Sequence, residues 1–397
     1  MRSRFAPLLL ALSACTGGEC PETADDATET APPITCADVD RSQAGETNVP
    51  TDEAEISLSG VYRVAGSVIY DSDEVVTIEP GTVFLMEAGA SVRFGWRSDP
   101  ATVFAGGTEE APILFCGTED APGHWMGVEL LGGTREDSAL SHVRIEDAGL
   151  DGMPALSVTS PVDLVSVAIV DNAALGLYAE ALGAGSSDLT VAGNDVAVEL
   201  LNGETITRLP AGDYTGNADD VVLVTNIDDE DVVFHDRGVP YRQTAERVVY
   251  GPAGGPEVSV TYEAGVEYQF CQDCFVVYGW RSDPATVLAL GTPEAPVVFT
   301  SHNTDPRPGD WDGVTLATGV TSSSRFEHTI FEFGGKAGGE DTNGANLVVS
   351  GGLGSVVDCT FADSAGYGLW LEDVEPGFVE RGSLFVDNGE GERFEAQ

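Results

Sequence analysis

Nine consecutive residues, Gly95-Trp96-Arg97-Ser98-Asp99-Pro100-Ala101-Thr102-Val103, recur unchanged as Gly279-Trp280-Arg281-Ser282-Asp283-Pro284-Ala285-Thr286-Val287, 184 positions on (279 − 95). Nine identities in a row do not arise by chance, so the chain contains an internal duplication, and a duplication constrains the whole fold. Matches flank the nonamer at the same offset. Glu79-Pro80-Gly81 aligns with Glu263-Ala264-Gly265, Val92 with Val276, Gly107-Thr108 with Gly291-Thr292, and Ala111-Pro112 with Ala295-Pro296. Further on the offset drifts by a few residues. Trp125-Met126-Gly127-Val128 then matches Trp311-Asp312-Gly313-Val314, Ser141-His142 matches Glu327-His328, and 171–180 matches 363–372. Small insertions that spare the pattern are what solenoid loops tolerate.

The local pattern inside each copy is short and β-rich. Val75-Val76-Thr77-Ile78, Val83-Phe84-Leu85-Met86, Ser91-Val92-Arg93-Phe94 and Ile113-Leu114-Phe115 are examples, broken every 8–12 residues by Gly, Asp, Asn or Pro. Such runs read as strands of three to six residues. No window of 12 residues carries helical periodicity. Residues 183–236 continue the strand pattern through Leu189-Thr190-Val191, Val196-Ala197-Val198 and Val221-Val222-Leu223-Val224, so the two copies form one continuous body. Many short strands at even spacing suit either a sandwich or barrel, or a parallel β-helix.

Charge narrows the function. With 18 Lys+Arg against 66 Asp+Glu the net charge is −48, and Lys336 is the sole lysine. That excludes nucleic acid, which needs a basic face, and docking on anionic lipid through side chains. A strongly self-repelling surface favours a soluble monomer in an exposed setting. Calcium is the one cofactor that so many carboxylates would admit.

The first residues read as an export signal. Met1-Arg2-Ser3-Arg4 is a basic start, 5–12 an apolar run too short to span a bilayer, and Leu12-Ser13-Ala14-Cys15 closes it. Cysteine directly after Leu-Ser-Ala resembles a bacterial lipobox, which implies cleavage after residue 14 and acylation of Cys15. Acyl chains add roughly 0.8 kcal/mol per buried CH₂, enough in combination for stable anchoring. Residues 15–55 have few large apolar side chains and read as an acidic, disordered, lipidated linker. About 40 flexible residues span roughly 35 Å, a stalk lifting the body off the lipid.

The succession Ile78-Glu79-Pro80-Gly81-Thr82-Val83, Gly107 to Phe115, Trp125 to Val128 and Asp171 to Leu177 resembles bacterial right-handed parallel β-helix proteins of the pectin-lyase-like class. The resemblance covers 56–397. It implies an all-β solenoid in which coils of roughly 20–25 residues each add three strands to three parallel sheets, with copy 1 over 56–235 and copy 2 over 236–397. It also implies that turn residues such as Asn172, Asn194 and Asn388 take left-handed conformations or bond along the stack. Polysaccharide lyases and glycoside hydrolases share this fold, using a basic proton abstractor or clustered aspartates.

No such constellation stands out. Arg144 in His142-Val143-Arg144-Ile145-Glu146-Asp147 is the nearest to a strand-borne base, and its counterpart in copy 2 is Ile330. Lys336 sits in a glycine-rich loop, and His142 and His328 hold equivalent places that favour a turn role. Asp228, Asp229 and Asp231 are the densest acids and the candidate calcium ligands, though no EF-hand or β-roll motif surrounds them. Trp96, Arg97 and Asp99, with Trp280, Arg281 and Asp283, are the candidate carbohydrate-binding residues, an aromatic beside hydrogen-bonding groups. Eight coils would set the two groups about 38 Å apart at 4.8 Å per coil. The competing reading makes each nonamer a turn.

Besides Cys15 the chain has Cys20, Cys36, Cys116, Cys271, Cys274 and Cys359, an even set that suits disulfides in an exported protein. Cys20 with Cys36 is one reasonable pair. Cys271-Gln272-Asp273-Cys274 closes locally or pairs with Cys116 and Cys359. Together these readings give a non-catalytic lipoprotein of the bacterial cell envelope, on the outer membrane or cell surface, displaying an acidic β-helix for adhesion or polysaccharide binding. A divergent lyase or hydrolase and a structural envelope component are the alternatives.

Overall fold

Every pairing between the strands is parallel, and one sheet runs through both copies. This computed structural model describes residues 34–43, 45–46, 49–96, 99–225, 230–251, 254–336, 338, 342–352 and 354–395. The continuous sheet, here the spine, has 13 strands from Ser67–Tyr70 to Leu384–Val386. Two early sheets of five and seven strands flank its first half, beginning at Glu55–Leu58 and Val61–Val64. Two late sheets of six strands flank its second half, beginning at Val232–Phe234 and Arg247–Tyr250. The fold is an all-β parallel β-helix solenoid.

Alternation decides which side chains go inward. One inward column of the spine reads Val92, Val128, Leu156, Leu177, Val198 and Val222, then Tyr241, Tyr268, Phe299, Phe331, Phe361 and Phe385. Phe299, Phe331 and Phe361 stack at centroid spacings of 5.2 Å. Each such side chain removed from water contributes about 2 kcal/mol. A second column is polar. Asn172 Nδ2 donates to Asn194 Oδ1 at 3.0 Å, and Asn194 Nδ2 to Asn217 Oδ1 at 3.0 Å. The expected left-handed conformation falls one residue earlier, on Asp171 (φ 56°), Gly193 (φ 70°) and Asp387 (φ 50°). The asparagines themselves have no positive φ and supply the rung-to-rung bond instead.

The two copies are wound out of phase. In copy 1, as far as Leu175–Ala179, each rung passes from the five-stranded sheet to the seven-stranded sheet to the spine. In copy 2 the spine takes the middle strand of the rung. Thus Ile113–Gly117, in the seven-stranded sheet, is equivalent to Val297–Ser301, in the spine. The slip accrues over 183–231, where the five-stranded sheet has ended at Asp163–Val165 and a helix, Gly203–Arg208, takes a corner. Asn202 caps that helix by accepting from the Thr205 N–H at 2.9 Å. At six residues it is too short for periodicity to reveal.

The first described residues depart from the expected linker. Cys36 is fully buried and disulfide-bonded to Cys116, not Cys20, with Cα atoms 5.6 Å apart. It packs with Leu85 and Leu114 on the outer side of the seven-stranded sheet, and Val39 packs against them. Arg41 Nη1 donates to the buried Asp147 carboxylate at 2.8 Å and to Gly117 O at 2.8 Å. Glu46 bridges to Tyr62, and Val49 packs on the main core. A disulfide and an ion pair do what apolar area does elsewhere, so composition alone misplaced the linker boundary. The signal sequence, Cys15, Cys20 and the linker as far as residue 33 lie outside the described residues, as do Arg97, Asp228 and Asp229.

Candidate functional site

Each copy of the nonamer forms a corner between two sheets, and the two corners share nearly every backbone bond. The Gly95 N–H donates to Tyr70 O at 2.9 Å, and the Gly133 N–H donates to Gly95 O at 3.1 Å. In copy 2 the Gly279 N–H donates to Tyr250 O at 2.9 Å, and the Gly319 N–H to Gly279 O at 2.8 Å. Asp99 and Asp283 close the turns by donating from their N–H groups to Trp96 O and Trp280 O at 3.1 and 3.0 Å. Ala101, Val103, Ala285 and Val287 are fully buried. The repeated Gly, Asp, Ala and Val residues are those the corner requires.

Both indoles are engaged as well. Trp96 is half-buried with the Arg93 guanidinium 5.2 Å from its ring centroid. Trp280 is half-buried against Phe275, Val277 and Ala317, with Arg247 and Arg281 guanidiniums at 5.2 and 5.6 Å. These cation–π contacts set one guanidinium over the Trp96 ring and two near the Trp280 ring. Arg281 itself takes a left-handed conformation (φ 54°). Asp283 Oδ1 accepts from the Gly254 N–H at 3.0 Å, whereas Asp99 is exposed.

The phase slip separates the corners as well. Trp96 follows the second spine strand directly, while Trp280 follows a strand of a late sheet, one strand beyond the ninth of the spine. One corner abuts the spine and the other does not. A polymer lying along the solenoid would therefore not meet the two as a matched pair.

The remaining candidates also have structural partners. Arg144 pairs with Glu146, whose carboxylate also accepts from the Cys36 N–H at 3.4 Å. Lys336 pairs with Asp273 inside the Cys271–Cys274 loop, and its ammonium is held above the usual lysine range by that carboxylate. His142 and His328 both sit at left-handed corners, with φ of 48° and 45°. Asp231 Oδ1 accepts from the Ser259 N–H at 2.7 Å, and among the described residues no three His, Cys, Asp or Glu side chains gather as metal ligands. The pairing of Cys359 with another cysteine is overturned: it is a free, buried thiol pushed up to about 11 by burial. Trp125 and Trp311, equivalent in the two copies, are fully buried and donate from Nε1 to Glu146 O at 2.7 Å and Glu332 O at 2.9 Å.

Paired-carboxylate chemistry needs two carboxyls about 5–9.5 Å apart. Burial raises the carboxyls of Glu199 and Glu332 above the usual range. They stand five spine strands apart, about 24 Å at 4.8 Å per strand. Among the described residues these raised carboxyls make no acid–base pair.

One feature escaped the sequence reading. In the last described rung, Val379, Leu384 and Val386 point outward and are 47%, 63% and 45% exposed. Glu380, Arg393 and Glu395 sit at inward positions, in register with Val356, Leu369 and Leu371. Outward Val379 beside inward Glu380, and inward Arg393 and Glu395, were the available signal, although Phe385 keeps the inward aromatic column. The chain matches no protein-family model, no curated protein and no solved structure. No helix among the described residues is long and apolar enough to cross a membrane.

Proposed function

We propose that this chain is a non-catalytic lipoprotein of the bacterial cell envelope, a pectin-lyase-like β-helix held by acylated Cys15 and displayed outward for adhesion, with polysaccharide as its ligand class. The observation that carries the reading is the commitment of the ionisable candidates. Arg144, Lys336, Asp231 and Asp283 are each engaged by a partner that holds the fold. The lipobox-like Leu12-Ser13-Ala14-Cys15 and two disulfides support export and anchoring.

The test has two arms. The full chain is incubated with acidic and neutral polysaccharides, following unsaturated products and reducing ends, and is then applied to a glycan array. Capture without turnover is expected. Turnover that Arg144→Ala abolishes would establish an enzyme and sink the proposal. Anchoring is checked by labelling with a radioactive fatty acid, where label persisting in Cys15→Ala would refute the lipid anchor.

A further inference from the structure

Arginine on this chain is as a rule a paired residue. Of the described arginines, all but Arg237, Arg247, Arg281 and Arg381 are ion-paired with a carboxylate. Arg237 donates to Leu209 O at 2.9 Å, and Arg381 belongs to the last described rung. Arg247 and Arg281 remain, and they meet at one indole. Their guanidiniums lie 5.2 and 5.6 Å from the ring centroid of Trp280. Both side chains are exposed, and neither donates a hydrogen bond to a described residue.

Register places this group on one outer face. Arg247 pairs with Phe275, and Val249 with Val277, across the adjacent strands Arg247–Tyr250 and Phe275–Tyr278. Val248, Tyr250, Val276 and Tyr278 alternate with them and point into the main core. Phe275, Val277 and Val249 belong instead to a separate outer cluster, and Trp280 packs on it. Arg247 also lies 5.8 Å from the Phe275 ring, so cation, floor and indole share a surface.

The duplication supplies its own comparison. In copy 1 the guanidinium over Trp96 is that of Arg93, and Glu129 on the next strand accepts from it at 2.9 Å. In copy 2 the same register positions hold Val277 and Thr315, so the carboxylate is gone. Ser67 and Ser91 stand in copy 1 where Arg247 and Phe275 stand in copy 2. Around an identical nonamer, copy 1 neutralises its cation and copy 2 gathers two that are not neutralised.

Arg281 adds an observation of its own. Its backbone is left-handed (φ 54°), and it is the one arginine among the non-glycine residues in that region, most of which are aspartates. Asp and Asn tolerate this conformation better than a long side chain does. The bonds of the corner run through Gly279, Asp283 and Gly319, so the corner does not call for arginine at 281.

A cation–π contact consumes none of the N–H donors of a guanidinium, and those donors match the geometry of an oxyanion. On a chain of net charge −48 a long polyanion or an anionic lipid surface is repelled. A ligand with one oxyanion on a neutral body is not. The half-buried indole beside the cations offers apolar surface for the C–H side of a sugar ring.

We infer that Arg247, Trp280 and Arg281 form a binding site for a sugar bearing a single carboxylate or sulfate, carried on an otherwise neutral glycan. The two guanidiniums take the oxyanion and the indole takes the ring. This deepens the glycan reading given above and rests on it.

The test is isothermal titration calorimetry of the full chain at physiological salt with methyl β-glucuronide, galactose 6-sulfate and uncharged methyl β-glucoside. The two charged sugars are expected to bind at least about tenfold more tightly than the glucoside, and the tighter of them names the oxyanion. Arg247→Gln and Arg281→Asn should each weaken that binding about tenfold. Arg281→Asn should melt no lower than wild type, which separates lost binding from lost fold. Arg325→Gln removes the same charge from an exposed arginine paired with Glu327 and should leave affinity unchanged. Equal affinity for all three sugars, unchanged affinity in both site variants, or an equal loss in Arg325→Gln would overturn the inference. So would a polyuronate that binds a hundredfold more tightly than its monomer. Capture on a glycan array that persists in the Arg247→Gln, Arg281→Asn double variant sinks this inference and leaves the proposed function standing. Polysaccharide turnover sinks that function and leaves the calorimetric difference between variants in place.

Discussion

A Cβ placed on Gly95 would lie 2.0 Å from the backbone nitrogen of Thr134, one rung further on. At Gly279 it would lie 2.3 Å from the nitrogen of Val320. Both glycines also hold positive φ, 68° and 70°. Neighbouring backbone cannot retreat as a flexible side chain can. Gly95→Ala and Gly279→Ala should therefore each cost about 3 kcal/mol or more in urea unfolding. Gly60→Ala, with nothing within 4 Å of its Cβ, should cost only about 1 kcal/mol.

Asn194 is the middle member of the amide ladder and is 3% exposed. Its Oδ1 accepts from Asn172, and its Nδ2 donates to Asn217 Oδ1, Ile169 O and Ala192 O. Asn194→Ala strands buried groups on both neighbouring rungs. A loss of about 2–4 kcal/mol is expected, while Asn388→Ala at the less buried last rung should cost less. Chemical denaturation of the two variants checks the order.

The Cys36–Cys116 disulfide spans a sequence separation of 80 residues. In the chain-entropy account a loop of that size is worth about 4.5 kcal/mol. Cys36→Ser should approach that loss. Arg41→Ala should cost about 3–5 kcal/mol by leaving the buried Asp147 carboxylate without its cation. Reduction of wild type should reproduce the first effect and add nothing to the Cys36→Ser variant beyond that of Cys271–Cys274.

Alkali should unfold the protein cooperatively. Burial holds the phenols of Tyr241, Tyr262 and Tyr278 above the ordinary tyrosine range, and Tyr262 Oη lies 2.8 Å from Tyr278 Oη. Folded pKa values raised above the unfolded value, about 10, give stability that is full below pH 10 and lost as pH rises beyond it. Phenolate absorbance should therefore appear together with loss of circular dichroism. Smooth ionisation of these tyrosines in the folded state would contradict their burial.

The rung itself was legible because its requirements are local. Val92 and Phe299 announce inward positions, Gly95 and Gly279 announce corners, and two copies of each motif make the pattern plain. The nonamer, read as either contact or turn, forms a corner in both copies, with Arg93 beside Trp96 and Arg247 and Arg281 beside Trp280. No local signal reports the phase slip, since strand-like runs at 189–191 and 221–224 look alike whichever sheet they join. Composition reads 34–43 as linker because one cysteine and one arginine hold that segment, and burial scales do not count such links. Cys359 fits a buried apolar slot on the core, a place that residue type alone leaves open.

The disulfide also sets the path that force takes through the molecule. Tension on the chain before Cys36 crosses into Cys116 on the strand Ile113–Gly117, third in its sheet from Val61–Val64. Residues 37–115 then form a closed loop that bears no load, although they make up the first rungs. Drawn out, that loop holds about 280 Å of hidden length at roughly 3.5 Å per residue. While the bond is oxidised, a steady pull cannot peel the solenoid from its first rung, and reduction turns the same segment into slack that absorbs extension.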